Sequence, residues 1–270
     1  MKEKQFPVWA RYFEDFGYGA IEAPVENPQE EIAKAEDWLK RCGVKKVYAP
    51  MGLSTWYSYR ATIPNSKEPF FYGETNFDVQ VWLDAGYKVA ARYTSSLADN
   101  ERFILSIQKK KERLETKGWR IEAYNPQTEG LLKRCHEIAN KAFVDAFCFQ
   151  PIGWEDFREL YQPLLNKIDL RLVMLARSPE GEIAGFCLSY PDLKNHSLKR
   201  FVLKTLAVDP KFANQGIGSW LSGEMHLQSH ELGFTGGGIH AYMWSDSYSQ
   251  NISKHSANII RDYVLFEKDL

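Results

Sequence analysis

Apolar and polar positions along the chain switch repeatedly between a helical period and a strand period. In NPQEEIAKAEDWLKRCG (27–43), Ile32, Ala35, Trp38 and Leu39 fall three and four apart, which makes one apolar helix face. Asn27 stands where an N-cap is expected, Pro28 suits the first helical position, Glu30 reaches back to the cap, and Gly43 ends the run. Around it, FGYGAIEAPV (16–25) and KKVYAPM (45–51) read as strands, STWYSYR (54–60) as a short helix, and PFFYG (69–73) as a strand. FDVQVWLDAGY (77–87) reads as a second helix and KVAARYTS (88–95) as a closing strand. ADNERFILSIQKKKERLETKGW (98–119) then forms a charged, helix-favouring seam. Its lysines, Lys109 to Lys111, beside Glu112 and Glu115, suit a solvated helix face better than a nucleic-acid patch.

Beyond the seam, WRIEAY (119–124) predicts a strand and TEGLLKRCHEIANKAF (128–143) a helix capped by Thr128. GWEDFRELYQPLLNKI (153–168) predicts a helix interrupted near Pro163. LRLVMLAR (170–177) and IAGFCLSY (183–190), joined by SPEGE, read as an antiparallel hairpin. The strand KRFVLKTLAV, a glycine loop and a long helix follow. Then come GGIHAYMW (237–244) as a strand, SDSYSQNISKHS (245–256) as a short helix, and YVLFEKDL (263–270) as a closing strand. Strands interleaved with helices imply a layered α/β fold.

Composition narrows the function classes. The 270 residues suggest about two domains, divided here into 1–115 and 116–270. A net charge of −1 disfavours a nucleic-acid binder or an anionic-membrane binder. Aromatics at 14% point to thick cores or aromatic-lined clefts. Cys42, Cys135, Cys148 and Cys187 form no CxxC pair, so the expectation is reduced thiols, no disulfide framework and no metal site. No leader-like or membrane-length apolar run is visible, and a cytoplasmic protein, monomeric or homodimeric, is expected.

The chemistry centres on AVDPKFANQGIGSWL (207–221). A helix start presents unpaired N–H groups and the positive end of the helix dipole, and glycines there let an anion reach the backbone. The nucleoside-triphosphate loop GxxxxGK[ST] is absent, and a dinucleotide fingerprint would need a third glycine where Leu221 stands. A bare strand-to-helix turn without a ligand remains the alternative at this point.

The run Val208-Asp209-Pro210, a short loop ending Gln215-Gly216-Ile217-Gly218, and a long helix resemble the acetyl-coenzyme A motif of the Gcn5-related N-acetyltransferases (GNAT). The resemblance covers 119–270 in element order and is most specific over 203–233. It implies a GNAT-like mixed sheet flanked by helices. It also implies that the backbone of Leu206, Ala207 and Val208 holds the pantetheine arm, and that Asn214, Gln215, Gly216, Ile217, Gly218 and Ser219 wrap the pyrophosphate. The family's Arg/Gln position falls on Ala213, so one side-chain contact is missing. The end of the chain resembles a subfamily whose last strands flank an Asp-Asn-x-Ser turn, which puts Ser247 and Ser249 beside the cofactor; the usual tyrosine acid falls near Ser256. Residues 1–115 resemble the second half of the same fold in tandem members, a smaller, partial GNAT-like α/β domain with no glycine loop of its own.

Catalysis of amine acetylation needs a base, a polarised carbonyl and an acid for the thiolate. Along GGIHAYMW, His240, Tyr242 and Trp244 share one face by the strand period. His240 is the candidate base, and Tyr242 and Tyr248 the candidate acids, although a lone strand histidine is more often a packed, hydrogen-bonded residue and a core tyrosine is at least as natural a reading of Tyr242. Phe147, Phe149 and Trp154, on FVDAFCFQPIGW (143–154), are candidates for the wall of a small-molecule amine acceptor site, or for packing against Trp56 and Tyr57. The expected activity is acetyl transfer from acetyl-CoA to a small amine, without a metal; the alternative is a non-catalytic acyl-CoA-binding or regulatory protein.

Overall fold

The computed structural model describes residues 1–5, 8–24, 26–245 and 256–270. The first segment carries strands β1 (Lys2–Gln5), β2 (Trp9–Phe13) and β3 (Tyr18–Ile21), helix α1 (Pro28–Arg41), strands β4 (Lys46–Ala49) and β5 (Ala61–Ile63), helix α2 (Gln80–Asp84) and strand β6 (Lys88–Ala98). Helix α3 (Asn100–Thr116) leads to the second segment. There, β7 (Arg120–Ala123), α4 (Leu131–Ala142), α5 (Trp154–Leu165), β8 (Val173–Arg177) and β9 (Ile183–Pro191) precede β10 (Phe201–Val208), α6 (Ile217–Glu231), β11 (Gly238–Trp244) and β12 (Ala257–Asp269).

All strands join one mixed sheet in the order β1-β2-β3-β4-β12-β6-β11-β10-β9-β8-β7, with β5 on β12. The two segments interleave their last strands. β12, from the end of the chain, runs antiparallel to β4 at Phe266↔Ala49, while β6 runs antiparallel to β11 at Ile239↔Leu97. β6 and β12 pair with each other along most of their length. Backbone ladders bury their polar groups only while paired, so the segments share one folding unit in the middle of the sheet.

Helices cover both faces. α4 and α5 pack on β8–β10 through Ile138, Phe157, Val173 and Phe186. On the other face, α3 and α6 pack through Phe103, Ile107, Trp220 and Leu221. α1 covers the first segment with Ile32, Ala35 and Leu39, the face read from the sequence. α3 and α6 approach closely because Gly223 lies at their crossing: a Cβ there would stand 2.3 Å from Ile107 Cγ1.

Several local expectations are corrected. α4 starts at Leu131 with Gly130, at φ 73°, in the cap position, so Thr128 lies outside the helix and caps nothing. Asn27 does occupy the α1 N-cap, but its side chain makes no capping bond. Residues 54–60 are not helical; Met51 bridges Tyr59 and closes a loop whose aromatics turn toward the second segment. PFFYG is a turn rather than a strand, because Glu74 accepts from Phe71 N–H at 3.0 Å while Glu74 N–H returns to the Phe71 carbonyl at 3.1 Å. FDVQVWLDAGY yields only the five residues of α2, and Pro163 is tolerated inside the last turn of α5. β1 and β2, unforeseen in the sequence, extend the sheet edge. The short helix expected over 245–256 falls almost entirely outside the described residues.

Candidate active site

β10 and β11 are parallel neighbours for only three pairs, Phe201↔Gly238, Val202↔Ile239 and Leu203↔His240. From Lys204 onward β10 keeps β9 as partner but no longer pairs with β11. Both strands bulge at the parting: the β10/β9 register shifts between Leu203 and Thr205, and the β11/β6 register between His240 and Met243. Tyr242, in that second bulge, sits at φ 57°, a conformation non-glycine residues adopt only when their surroundings enforce it. The split leaves one edge of Leu206–Val208 without a strand partner.

The glycine loop lies just past the end of β10. Asp209 caps the short turn Pro210–Phe212 through the Lys211 N–H and accepts from Arg134 at 2.8 Å. Asn214 has φ 62° and Gly216 φ 94°, so the backbone folds back sharply before α6 starts at Ile217. No side chain caps α6, and its first N–H groups are left for water or an anion. Two cations of α3 flank this terminus. Arg113 Nη2 donates to the Gln215 carbonyl at 2.6 Å, and Lys110 Nζ donates to Ser219 Oγ at 3.3 Å. The Lys109–Lys111 run is therefore not only a solvated face: Lys110 reaches the glycine loop and Lys111 pairs with Glu224 at 2.7 Å. Nothing in the sequence signals that α3 crosses α6, so these residues were not found there.

A cleft of about 790 Å³ opens at the split and extends between the two segments. Leu203–Leu206 and His240–Trp244 form its floor; Trp56, Tyr57, Tyr59 and Arg60 form one wall, and Phe147, Phe149 and Tyr161 the other. Phe147 and Phe149 thus reach the cleft, whereas Trp154 packs edge-on against His136 at 5.8 Å and does not line it. The same aromatic loop also packs on the first segment: Trp56 stands 5.8 Å from Phe149 and donates its indole N–H to the Gln150 carbonyl at 2.8 Å.

The two candidate acid and base groups among the described residues, His240 and Tyr242, are both engaged. His240 is buried, and its Nε2 lies 2.9 Å from His226 Nε2, while His226 Nδ1 lies 2.7 Å from Asn100 Oδ1. Burial lowers His240 to about 4, and burial with the neighbouring His240 pushes His226 well below the usual histidine range, so both rings are neutral near pH 7. The Tyr242 hydroxyl donates to the Gly73 carbonyl at 3.1 Å and accepts from Thr75 N–H at 3.3 Å; burial raises its pKa to about 12. The expected alternation of 240, 242 and 244 on one face is broken by the bulge, and all five residues from His240 to Trp244 line the cleft. Ser247, Tyr248 and Ser249 lie outside the described residues; Ser256 is buried. Among the described residues no group of three or more His, Cys, Asp or Glu is placed to hold a metal ion, and no helix is long and apolar enough to cross a membrane.

Residues 132–225, from α4 to the middle of α6, match the model of the acetyltransferase (GNAT) family. The chain carries a GNAT domain. This match takes in the split strand β10, the glycine loop and the start of α6, the residues that carry the resemblance in sequence. The tandem fold extends the likeness to nearly the whole chain. A GCN5-related N-acetyltransferase from Sphaerobacter thermophilus superposes with a TM-score of 0.57 at 14% identity, covering 97% of this chain and 76% of that one. A tandem GNAT protein from the clavulanic acid biosynthesis pathway gives 0.54 at 9% identity, over 97% and 78%. L-PGS from Bacillus licheniformis gives 0.51 at 13% identity, over 96% and 79%. At these identities the likeness is one of fold. No match to the sequence is found among curated proteins.

Proposed function

We propose that this protein is an N-acetyltransferase that moves the acetyl group of acetyl-CoA directly to the amine of a small molecule. The observation that carries the reading is the parting of β10 from β11 at Leu203/His240, which opens a free strand edge leading to the uncapped start of α6. The residues fit the cofactor. The edge of Leu206–Val208 that faces away from β9 offers backbone groups to an amide-bearing arm, and Asn214 to Ser219 offer N–H groups at a helix N-terminus to a pyrophosphate. At Gly216 a Cβ would meet Arg113 Nη2 at 3.2 Å, so the glycine keeps the loop open. Acetyl-CoA supplies an activated thioester when bound; the chain's part is to place the amine against it and exclude water.

In the net reaction an N–C bond forms to the acetyl carbon and the C–S bond breaks. The proton lost by the amine balances the one gained by the thiol. We assign residues 116–270, together with Lys110 and Arg113 of α3, to cofactor binding, and the rest of 1–115 to the far wall of the acceptor cleft and the strand β6. Phe147 and Phe149 serve as acceptor contacts. Tyr242 holds the cleft floor in its bulged form, His240 anchors the last β10/β11 pair through His226, and we assign the proton-transfer role to Tyr248.

A second reading, an acyl-CoA-binding protein without turnover, is favoured by one observation. His240 and the Tyr242 hydroxyl are both committed to internal hydrogen bonds. Thiol release from acetyl-CoA across a panel of amines separates the two. Turnover with at least one amine supports the transferase; cofactor binding with no turnover on any amine supports the second reading.

A further inference from the structure

Three arginines are buried among the described residues: Arg11, Arg60 and Arg261. Two of them face carboxylates, Arg11 with Glu3 and Glu22, and Arg261 with Glu74. Arg60 faces none. It is 7% exposed, on the wall of the cleft, with its guanidinium over the rings of Tyr59, Tyr242 and Tyr93 at 3.7, 4.0 and 4.8 Å. Its Nε donates to the Tyr59 carbonyl and its Nη1 to the Tyr242 carbonyl, each at 3.3 Å, while Nη2 has no hydrogen bond among the described residues. A buried cation without an anion is costly, and an arginine fork with free N–H groups is shaped for a carboxylate.

Lys204 adds a second cation. It occupies the bulge where β10 leaves β11, lines the same cleft, and makes no salt bridge among the described residues. Its Nζ stands 6.0 Å from the ring of Tyr161 on the cleft wall, and desolvation, then the charge of Arg60, lower its pKa. Among the described residues that line the cleft, Glu22 is the one carboxylate, and it is already bonded to Arg11 at 3.0 Å. The walls beside this pair are Trp56, Tyr57, Phe147 and Phe149.

We infer that the acceptor is an amine that also carries a carboxylate and an apolar or aromatic body, such as an apolar α-amino acid, with its carboxylate held by Arg60 and Lys204. This rests on the reading of the cleft as an amine-acetylating site. The carboxylate is bound and not consumed; the bonds made and broken are those of the amine acetylation given above.

Matched pairs test it: phenylalanine against phenethylamine, tryptophan against tryptamine, leucine against isoamylamine. Binding is read by calorimetry in the presence of coenzyme A, and turnover by thiol release from acetyl-CoA. The inference expects the carboxylated member of at least one pair to bind and react at least about ten-fold better, with the ratio falling toward one in Arg60→Gln and Lys204→Gln. Lys204→Gln, at an accessible position, keeps the test open should Arg60→Gln fail to fold. Equal or better performance by the plain amines overturns the inference, as does failure of every carboxylated amine to bind a protein that binds acetyl-CoA. Carboxylate-dependent binding without any acetyl-CoA binding would keep this site and sink the transferase reading instead.

Discussion

Arg113, on the helix that joins the two segments, donates to the carbonyl of Gln215 in the glycine loop at 2.6 Å. The contact fixes the loop in its open form and places a guanidinium beside the start of α6, where the family's loop side chain is replaced by Ala213. With Lys110 it makes α3 a source of positive charge at the proposed anion cradle. Arg113→Ala and Lys110→Ala should each weaken acetyl-CoA binding about two- to five-fold, roughly 0.5–1 kcal/mol, more at low salt than at high. Titrations at two salt concentrations measure it, and salt-independent, unchanged affinity would remove both residues from the cradle.

Gly223 sets the distance between α3 and α6, with Ile107 where its Cβ would be. Gly223→Ala should lower stability by about 1–3 kcal/mol through overpacking, despite the better helix propensity of alanine. Denaturant unfolding of the two proteins measures this. A more stable variant would mean that helix propensity outweighs the contact.

Glu74, whose side chain is fully buried, accepts from Arg261 Nε at 3.0 Å and from the Tyr263 hydroxyl. Glu74→Gln leaves the Arg261 guanidinium without its counter-charge and should cost about 3–5 kcal/mol. The same unfolding experiment reads it, and a loss below about 1 kcal/mol would show that the Ser66 and Glu68 carbonyls alone satisfy Arg261.

The His226–His240 pair makes stability depend on pH. Both pKa values are lower in the folded protein than the ordinary 6.5, so the unfolded chain binds more protons below that value. Their contribution is complete above about pH 6.5 and is lost as pH falls, through about 4 for His240. A drop from 6.5 to about 4 on a buried ring corresponds to a few kcal/mol, of order 3. Unfolding free energy should therefore fall between pH 7.5 and pH 5.5, with a smaller slope in His240→Gln. A flat profile over that range would place an imidazolium inside the core.

The second half of the chain was the more legible in sequence, for local reasons. The β8/β9 hairpin is bracketed by a five-residue turn, and Gly216 marks the junction of β10 with α6 because its φ of 94° suits glycine. The first segment misled where aromatic runs resemble strands or helices: Trp56 and Tyr57 face a cleft, and Phe70 to Gly73 wrap Glu74. The interleaving of β6 and β12 and the meeting of Arg60 with Tyr242 join residues more than 150 positions apart, and no local period encodes such a meeting. Thr128 shows the limit of cap reading, since Gly130 two residues later takes the cap position itself.

The proposed cofactor site rests on the glycine loop as the cradle of a nucleotide pyrophosphate. Calorimetric titration of acetyl-CoA into the wild type and into Gly216→Glu tests it most directly, with thermal melts verifying that both are folded. Micromolar binding by the wild type, lost in a folded Gly216→Glu, is the expected result. No binding by the wild type, or equal binding by the variant, would contradict it.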